Sequence, residues 1–127
     1  MIDASIAISW AFDDEEHPGA AAALERLRDE DARAPALWLL ELRNALLAGE
    51  RRGRIEESGT ERFLDRISRL PIQIDREAGE VLGLARRHRL SAYDASYLEL
   101  ACRLGVPLLT LDRALADAAR VEGGRGF

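Results

Sequence analysis

Four acidic residues lack the local partners that usually explain a carboxylate, and carboxylates gathered at one place are the raw material of divalent-metal chemistry. An acid on a helix ordinarily has a basic residue three or four positions away, or it faces water. Glu99 has Arg103, Asp65 has Arg62 and Arg69, Asp117 has Arg113 and Arg120, and Glu25 has Arg28, so these read as surface pairs. Glu41 has Leu37, Trp38, Asn44 and Ala45 at those offsets, and Arg43, two positions on, points to another side of the helix. Asp94 has Leu90, Ser91, Tyr97 and Leu98. Asp112 closes the apolar run 106–112, and Asp3 follows Met1-Ile2 and precedes Ser5. Each has a plainer explanation: a long-range ion pair for Glu41, and a helix cap or a favourable dipole position for the aspartates. The same filter passes Glu77 and the acids at 13–16, but these fall in a helix's first turn and in a polar loop, where unpaired acids are expected.

If the four meet, they repel one another strongly in a low dielectric, and a hard divalent cation makes the cluster tolerable. Mg²⁺ or Mn²⁺ takes a few carboxylates, water and the phosphate oxygens of a substrate. Such an ion lowers the pKa of bound water to make a nucleophile and neutralises charge on a scissile phosphate, so acids alone can support phosphodiester hydrolysis. The rest of the composition narrows the field. All 18 basic residues are arginine, and the absence of lysine excludes a Walker A loop, a Schiff-base enzyme and a phospho-acceptor receiver domain. His17 in an acidic stretch and His88 in the basic run 86–89 are both expected at the surface, which leaves no material for a histidine metal site or a serine–histidine–aspartate triad. The lone Cys102 reads as a small buried apolar residue, and with no internal disulfide possible a reduced, cytoplasmic setting is expected. The start of the chain lacks the layout of a secretory signal, and no apolar stretch approaches the ~18 residues of a membrane span, so a soluble protein is expected.

A length of 127 residues, 47% of them hydrophobic, fits a single domain over 1–127. The patterning predicts a strand ending at Ile2-Asp3-Ala4 and helices over 5–12, 20–29, 37–52 and 55–70. A short strand over 71–74 and a helix capped by Asp75 and running to about Arg89 follow. The C-terminal third reads as a helix over 92–104 stopped by Gly105, a strand over 106–112 and a helix over 113–119. Short apolar strands alternating with helices predict an α/β domain: three layers, α/β/α, around a mainly parallel, short-stranded sheet. In such folds ligands sit beyond the carboxyl ends of the strands, where Asp3 and Asp112 both fall.

Asp3-Ala4-Ser5, Glu41 with Asn44, the stretch Tyr93-Asp94-Ala95-Ser96-Tyr97-Leu98-Glu99-Leu100-Ala101, and Leu109-Thr110-Leu111-Asp112 together resemble, in order and spacing, the four motifs of the PIN-domain ribonucleases. Within that family they resemble the VapC-type toxins of type II toxin–antitoxin pairs, and the resemblance covers essentially the whole chain. It implies Asp3, Glu41, Asp94 and Asp112 as the catalytic and metal-binding acids around Mg²⁺ or Mn²⁺, with Ser5, Asn44 and Thr110 as hydrogen-bonding neighbours. It also implies an endoribonuclease that leaves a 5′-phosphate and a 3′-hydroxyl, an RNA substrate, a cognate antitoxin that blocks the site, and a homodimer. With only Met1 and Ile2 before Asp3, either the first strand is unusually short or the start lies upstream.

A net charge of −5 sits awkwardly with RNA, whose phosphates dominate protein affinity, unless charge is distributed locally. Arg51, Arg52 and Arg54 follow the Glu41 helix and Arg86, Arg87 and Arg89 precede the Asp94 helix, so two basic patches flank the expected site. Exposed aromatics are scarce, since Trp10 and Trp38 lie in apolar stretches and read as core. Ile6, Ile8, Trp10, Phe12 and the 20–27 helix offer apolar surface for an antitoxin helix, if core packing does not consume them. The alternative is a non-catalytic PIN-like module that binds RNA or protein and uses its acids structurally. A phosphatase or related metal hydrolase fits less well, because such enzymes commonly need a lysine.

Overall fold

The computed structural model of the chain describes residues 1–12 and 17–123; the acids expected in a polar loop at 13–16 lie outside the described residues. Two segments enter the sheet as single rows. Ile2 forms a parallel bridge with Leu109, and its amide donates to the Arg33 carbonyl at 3.1 Å. Beyond Arg33 lie the two paired strands, β1 (Ala32–Pro35) and β2 (Ile72–Asp75), parallel and in register from Ala32 opposite Ile72 to Pro35 opposite Asp75. The rows thus run β2, β1, Ile2, Leu109.

Seven helices surround this sheet among the described residues: α1 (Ala4–Ala11), α2 (Pro18–Arg26), α3 (Leu37–Arg51), α4 (Glu57–Ser68), α5 (Leu82–His88), α6 (Ala92–Leu104) and α7 (Arg113–Gly123). α3 and α6 both pack on β1; α1 packs on α2 and α3, while α5 and α7 join α6. The result is the three-layer α/β/α arrangement expected from the sequence. Its core joins Trp38, Leu42 and Leu46 of α3 to Tyr97, Leu98 and Leu100 of α6, Leu115 of α7 and Ile6 of α1. None of the described helices is long and apolar enough to cross a membrane. The predicted stops hold for a physical reason: Gly53, just past α3, and Gly105, the C-cap of α6, both take the left-handed conformation, at φ 72° and φ 66°.

Several expectations change. Ala32–Pro35, whose alanines, arginine and proline have poor strand propensity, is nonetheless the inner strand, because Ala32 and Ala34 are small enough to lie buried beneath the helices. The run 106–112 pairs only at Leu109 and is not a full strand. The helix expected from Asp75 begins only at Leu82: Asp75 ends β2, and its carboxylate accepts the Glu77 amide in a local turn. His88 is not at the surface. Its side chain is 10% exposed and its Nε2 lies 2.8 Å from Glu122, a buried acid of α7 that also accepts from Arg87. The apolar surface offered to an antitoxin is mostly consumed, since Ile6, Phe12, Ala20, Ala23 and Leu27 are core and the Trp10 indole donates to the Ala20 carbonyl at 2.8 Å.

α3 is held against α1 by a close approach. A β-carbon on Gly49 would stand 2.7 Å from the buried Phe12 ring, itself covered by the Arg54 guanidinium 4.2 Å from the ring centroid. Gly49→Ala is therefore expected to lose stability by about 1–2 kcal/mol despite alanine's better helix propensity. Urea unfolding should show that cost shrinking in a Phe12→Leu background; an equal cost in both backgrounds would mean the ring is not what forbids the methyl.

Candidate active site

Asp3 is the first residue after the Ile2 row, and its extended backbone turns the chain into α1. Its Oδ1 accepts from the Ser5 hydroxyl at 2.5 Å and from the Ile6 amide at 3.4 Å, which makes it the N-cap of α1, and its Oδ2 accepts from the Thr110 hydroxyl. Ser5 Oγ also accepts the Leu111 amide at 2.9 Å, and Thr110 Oγ1 accepts the Asp112 amide at 3.0 Å. Ser5 and Thr110, expected as hydrogen-bonding neighbours of the acids, thus fasten the 110–112 turn to the start of α1. Asp112 leaves that turn exposed and caps α7, accepting the Leu115 amide on Oδ1 at 3.0 Å. The plainer explanation, a helix cap, therefore holds for Asp3 and Asp112, but it does not exhaust either carboxylate, because each also lines the cleft described below.

Glu41 comes from the second turn of α3. Its partner is a hydroxyl: Tyr97, 1% exposed on α6, donates to Glu41 Oε1 at 2.5 Å. The long-range ion pair that would have explained Glu41 away is not formed among the described residues. Asp94 lies in the first turn of α6, but the cap there is Ser91, whose hydroxyl accepts the Asp94 amide at 3.0 Å. Asp94 keeps its favourable position by the helix N-terminus while its carboxylate is not spent on capping.

These side chains share a cleft of about 340 Å³ whose wall includes Asp3, Ser5, Glu41, Asn44, Asp94, Tyr97 and Asp112. Three helices build it by periodicity: Glu41, Asn44, Ala45 and Ala48 follow one face of α3, Asp94 and Tyr97 are one turn apart on α6, and Ser5 and Ile8 share a face of α1. A larger groove of about 1030 Å³ runs along α7 and shares Asp112 with the cleft. It holds Asp117 and Arg120, which pair with each other, so the chemistry belongs to the smaller cleft.

The cleft acids perturb one another. Burial pushes the Asp3 carboxyl above its usual range, against the pull of the Ser5 and Thr110 hydroxyls. Burial raises Glu41 too, opposed by Tyr97 and reinforced by the charges of Asp94 and Asp3. Asp94 is raised by burial and then by the charge of Asp112. No cation figures among these influences, whereas Glu99, Asp65, Asp117 and Glu25 each pair with the arginine expected for them. Tyr97 is pushed far above the ordinary phenol range by burial and by Glu41, so it remains a neutral donor that orients that carboxylate. Its role was not foreseen; its position one turn beyond Asp94, facing Glu41 across the cleft, was the available signal.

No three His, Cys, Asp or Glu side chains among the described residues stand at distances that would enclose a metal ion. The donor set nonetheless suits Mg²⁺ or Mn²⁺: all the charged donors are hard carboxylate oxygens, and Mg²⁺ is commonly held through one or two carboxylates with the remaining positions filled by water and substrate phosphate. Glu41 and Asp94 could hold it from the helices, with Asp3 and Asp112 at the sheet edge. The flanking basic patches are thinner than the sequence suggested, because Arg87 is bound to Glu122 and Arg54 stacks on Phe12; Arg51, Arg52, Arg86 and Arg89 are exposed.

The family profile described as the PIN domain matches residues 1–121, spanning every part of this cleft. The chain belongs to the PIN-domain family. PIN domains are generally nucleases that use divalent metals. Among solved structures, this PIN domain is similar to the crystal structure of PAE2754 from Pyrobaculum aerophilum, with 24% identity and a TM-score of 0.73 over 98% of this chain and 91% of that one. No curated protein matches it.

The raised carboxyls set a pH dependence. A carboxyl with a raised pKa keeps its proton in the folded protein after the unfolded chain has released it near pH ~4. Its contribution to stability is full below that value and is lost as pH rises through the folded value. In EDTA, Glu41→Gln and Asp94→Asn are therefore expected to melt higher than the unsubstituted protein at pH 7.5, with the advantage vanishing near pH 4. Melting curves across that range check it, and lower midpoints for both variants at pH 7.5 would refute crowding of the acids.

Proposed function

We propose that this PIN domain is a Mg²⁺- or Mn²⁺-dependent endoribonuclease and the toxin of a type II toxin–antitoxin pair of the VapC type. The observation that carries the reading is the cleft that Asp3, Glu41, Asp94 and Asp112 line together with no cation acting on Asp3, Glu41 or Asp94, whereas Glu25, Asp65, Glu99 and Asp117 each pair with an arginine three or four positions on. A divalent ion bound there supplies Lewis acidity toward water and a phosphate oxygen. The protein's own part is positional. Asp3, fixed by Ser5 and Thr110, and Asp112 hold the sheet side of the site, while Glu41, fixed by Tyr97, and Asp94 hold the helical side. A cleft carboxylate accepts the proton lost by the attacking water, a task to which a raised pKa suits it. The water oxygen bonds to phosphorus, the bond from phosphorus to the 3′-oxygen breaks, and that oxygen takes a proton from solvent water to leave as a hydroxyl opposite a 5′-phosphate.

Asn44, exposed on the cleft face of α3, is placed to hydrogen-bond water or a phosphate oxygen, and the exposed Arg51, Arg52, Arg86 and Arg89 offer charge to the flanking backbone. The antitoxin is a protein partner that covers this cleft, and the working toxin is a homodimer.

Purified protein with Mn²⁺ should cleave RNA to 5′-phosphate ends, and EDTA should abolish cleavage. Asp94→Asn should lower kcat at least roughly a hundredfold, and Tyr97→Phe about ten- to a hundredfold, both with unchanged circular dichroism. Expression alone should arrest growth, and co-expression with the neighbouring gene should relieve it. Absence of cleavage together with a melting temperature unmoved by millimolar Mn²⁺ would instead identify a non-catalytic binding module.

A further inference from the structure

Among the described residues few large apolar or aromatic side chains are exposed, and three of them immediately precede acids of the cleft: Leu40 before Glu41, Tyr93 before Asp94, and Leu111 before Asp112. Exposed leucines and tyrosines scattered singly need no explanation, but these come from three separate segments, and each stands one residue before an acid of the same cleft. Tyr93 is 64% exposed, and its hydroxyl has no partner among the described residues. Its backbone is held firmly, since Ser91 caps α6 and the Ser96 hydroxyl donates to the Tyr93 carbonyl at 2.5 Å. A bulky aromatic ring is thus fixed at its root and free at its face, one residue from a carboxylate that faces the cleft.

We propose that Tyr93 is the stacking platform for the nucleobase next to the phosphate held in the cleft, with Leu40 and Leu111 as its apolar border. This rests on the endoribonuclease reading above. A nucleobase fits the observations because the wall itself is anionic: a substrate phosphate can enter only with a cation, and the exposed arginines serve the flanking backbone, so a neutral surface beside the acids suits the uncharged part of the nucleotide. A base presents a flat apolar face, a tyrosine ring matches it, and such stacking tolerates any base. The base must also be unpaired to reach the ring, so Tyr93 selects single strands and loops over duplex RNA.

The test is a cycle of protein and substrate changes, with steady-state cleavage of a single-stranded oligoribonucleotide in Mn²⁺. Removing one base at a time by abasic substitution should reveal a position next to the cut where KM rises about tenfold or more while kcat changes little. Tyr93→Ala should raise KM by a similar factor on the intact oligonucleotide and should make that abasic position indistinguishable from the intact one; Tyr93→Phe and Tyr93→Trp should restore the difference. Equal KM for Tyr93→Ala and the unsubstituted protein overturns the proposal and leaves the apolar border to a protein partner. A fall in kcat alone, or a base effect that survives Tyr93→Ala, also overturns it, because Tyr93 would then act through Asp94 or the fold. The unsubstituted protein's cleavage of the intact oligonucleotide reports separately on the nuclease reading: if it is absent, that reading fails before Tyr93 is reached.

Discussion

The arrangement depends on one buried carboxylate. Asp3 ends the N-terminal row of the sheet, caps α1, and accepts from Thr110, 107 residues away in the chain. Burying an ionised group is costly unless donors replace the lost water. Here two hydroxyls and one backbone amide do so, at the positive end of a helix. Because Ser5 and Thr110 also accept the Leu111 and Asp112 amides, the same knot that makes Asp3 tolerable sets the turn from which Asp112 emerges. Distant stretches of chain are tied together by the group that the site needs.

Around that knot the molecule sorts its charges. Arg103 gathers Glu99, Asp75 and Glu77, and Glu122 is held between Arg87 and His88, which joins α5 to α7. Exposed pairs such as Asp65 with Arg69 contribute little to stability individually, whereas Glu122 and His88 meet out of solvent. Their consequence is spatial: arginines are occupied away from the cleft, and the acids left there have hydroxyls and one another for neighbours. Tyr97 shows the same logic on the helical side, giving Glu41 a partner that fixes its direction without cancelling its charge.

The sheet that carries this site is small, with two paired four-residue strands and two single-residue rows. Helices α3 and α6 supply most of the packing and also deliver Glu41 and Asp94, so the site is built on rigid elements rather than on loops. A structure with a TM-score of 0.73 at 24% identity is consistent with a fold set by which faces are apolar rather than by particular core residues.

That Asp3, Glu41, Asp94 and Asp112 stand apart from the locally paired acids, the helices of the C-terminal third and the placement of Asp3 and Asp112 at the sheet edge were legible in the sequence, because missing partners three and four positions away and apolar periodicity are local properties. So was the pairing of Glu99, Asp65, Asp117 and Glu25. What lay beyond reach was long-range. The poor strand former Ala32–Pro35 is a strand only because helices cover it, and the run 106–112 is not one because its neighbour offers a single pairing row. His88 is drawn inward by Glu122, an acid 34 positions on, and Tyr97 is aimed at Glu41 by the meeting of α3 with α6. Residue types and their spacing determined which side chains were available for metal-dependent chemistry; tertiary packing decided which of them face one another, since burial and charge interactions depend on distances through space that the order of residues does not contain.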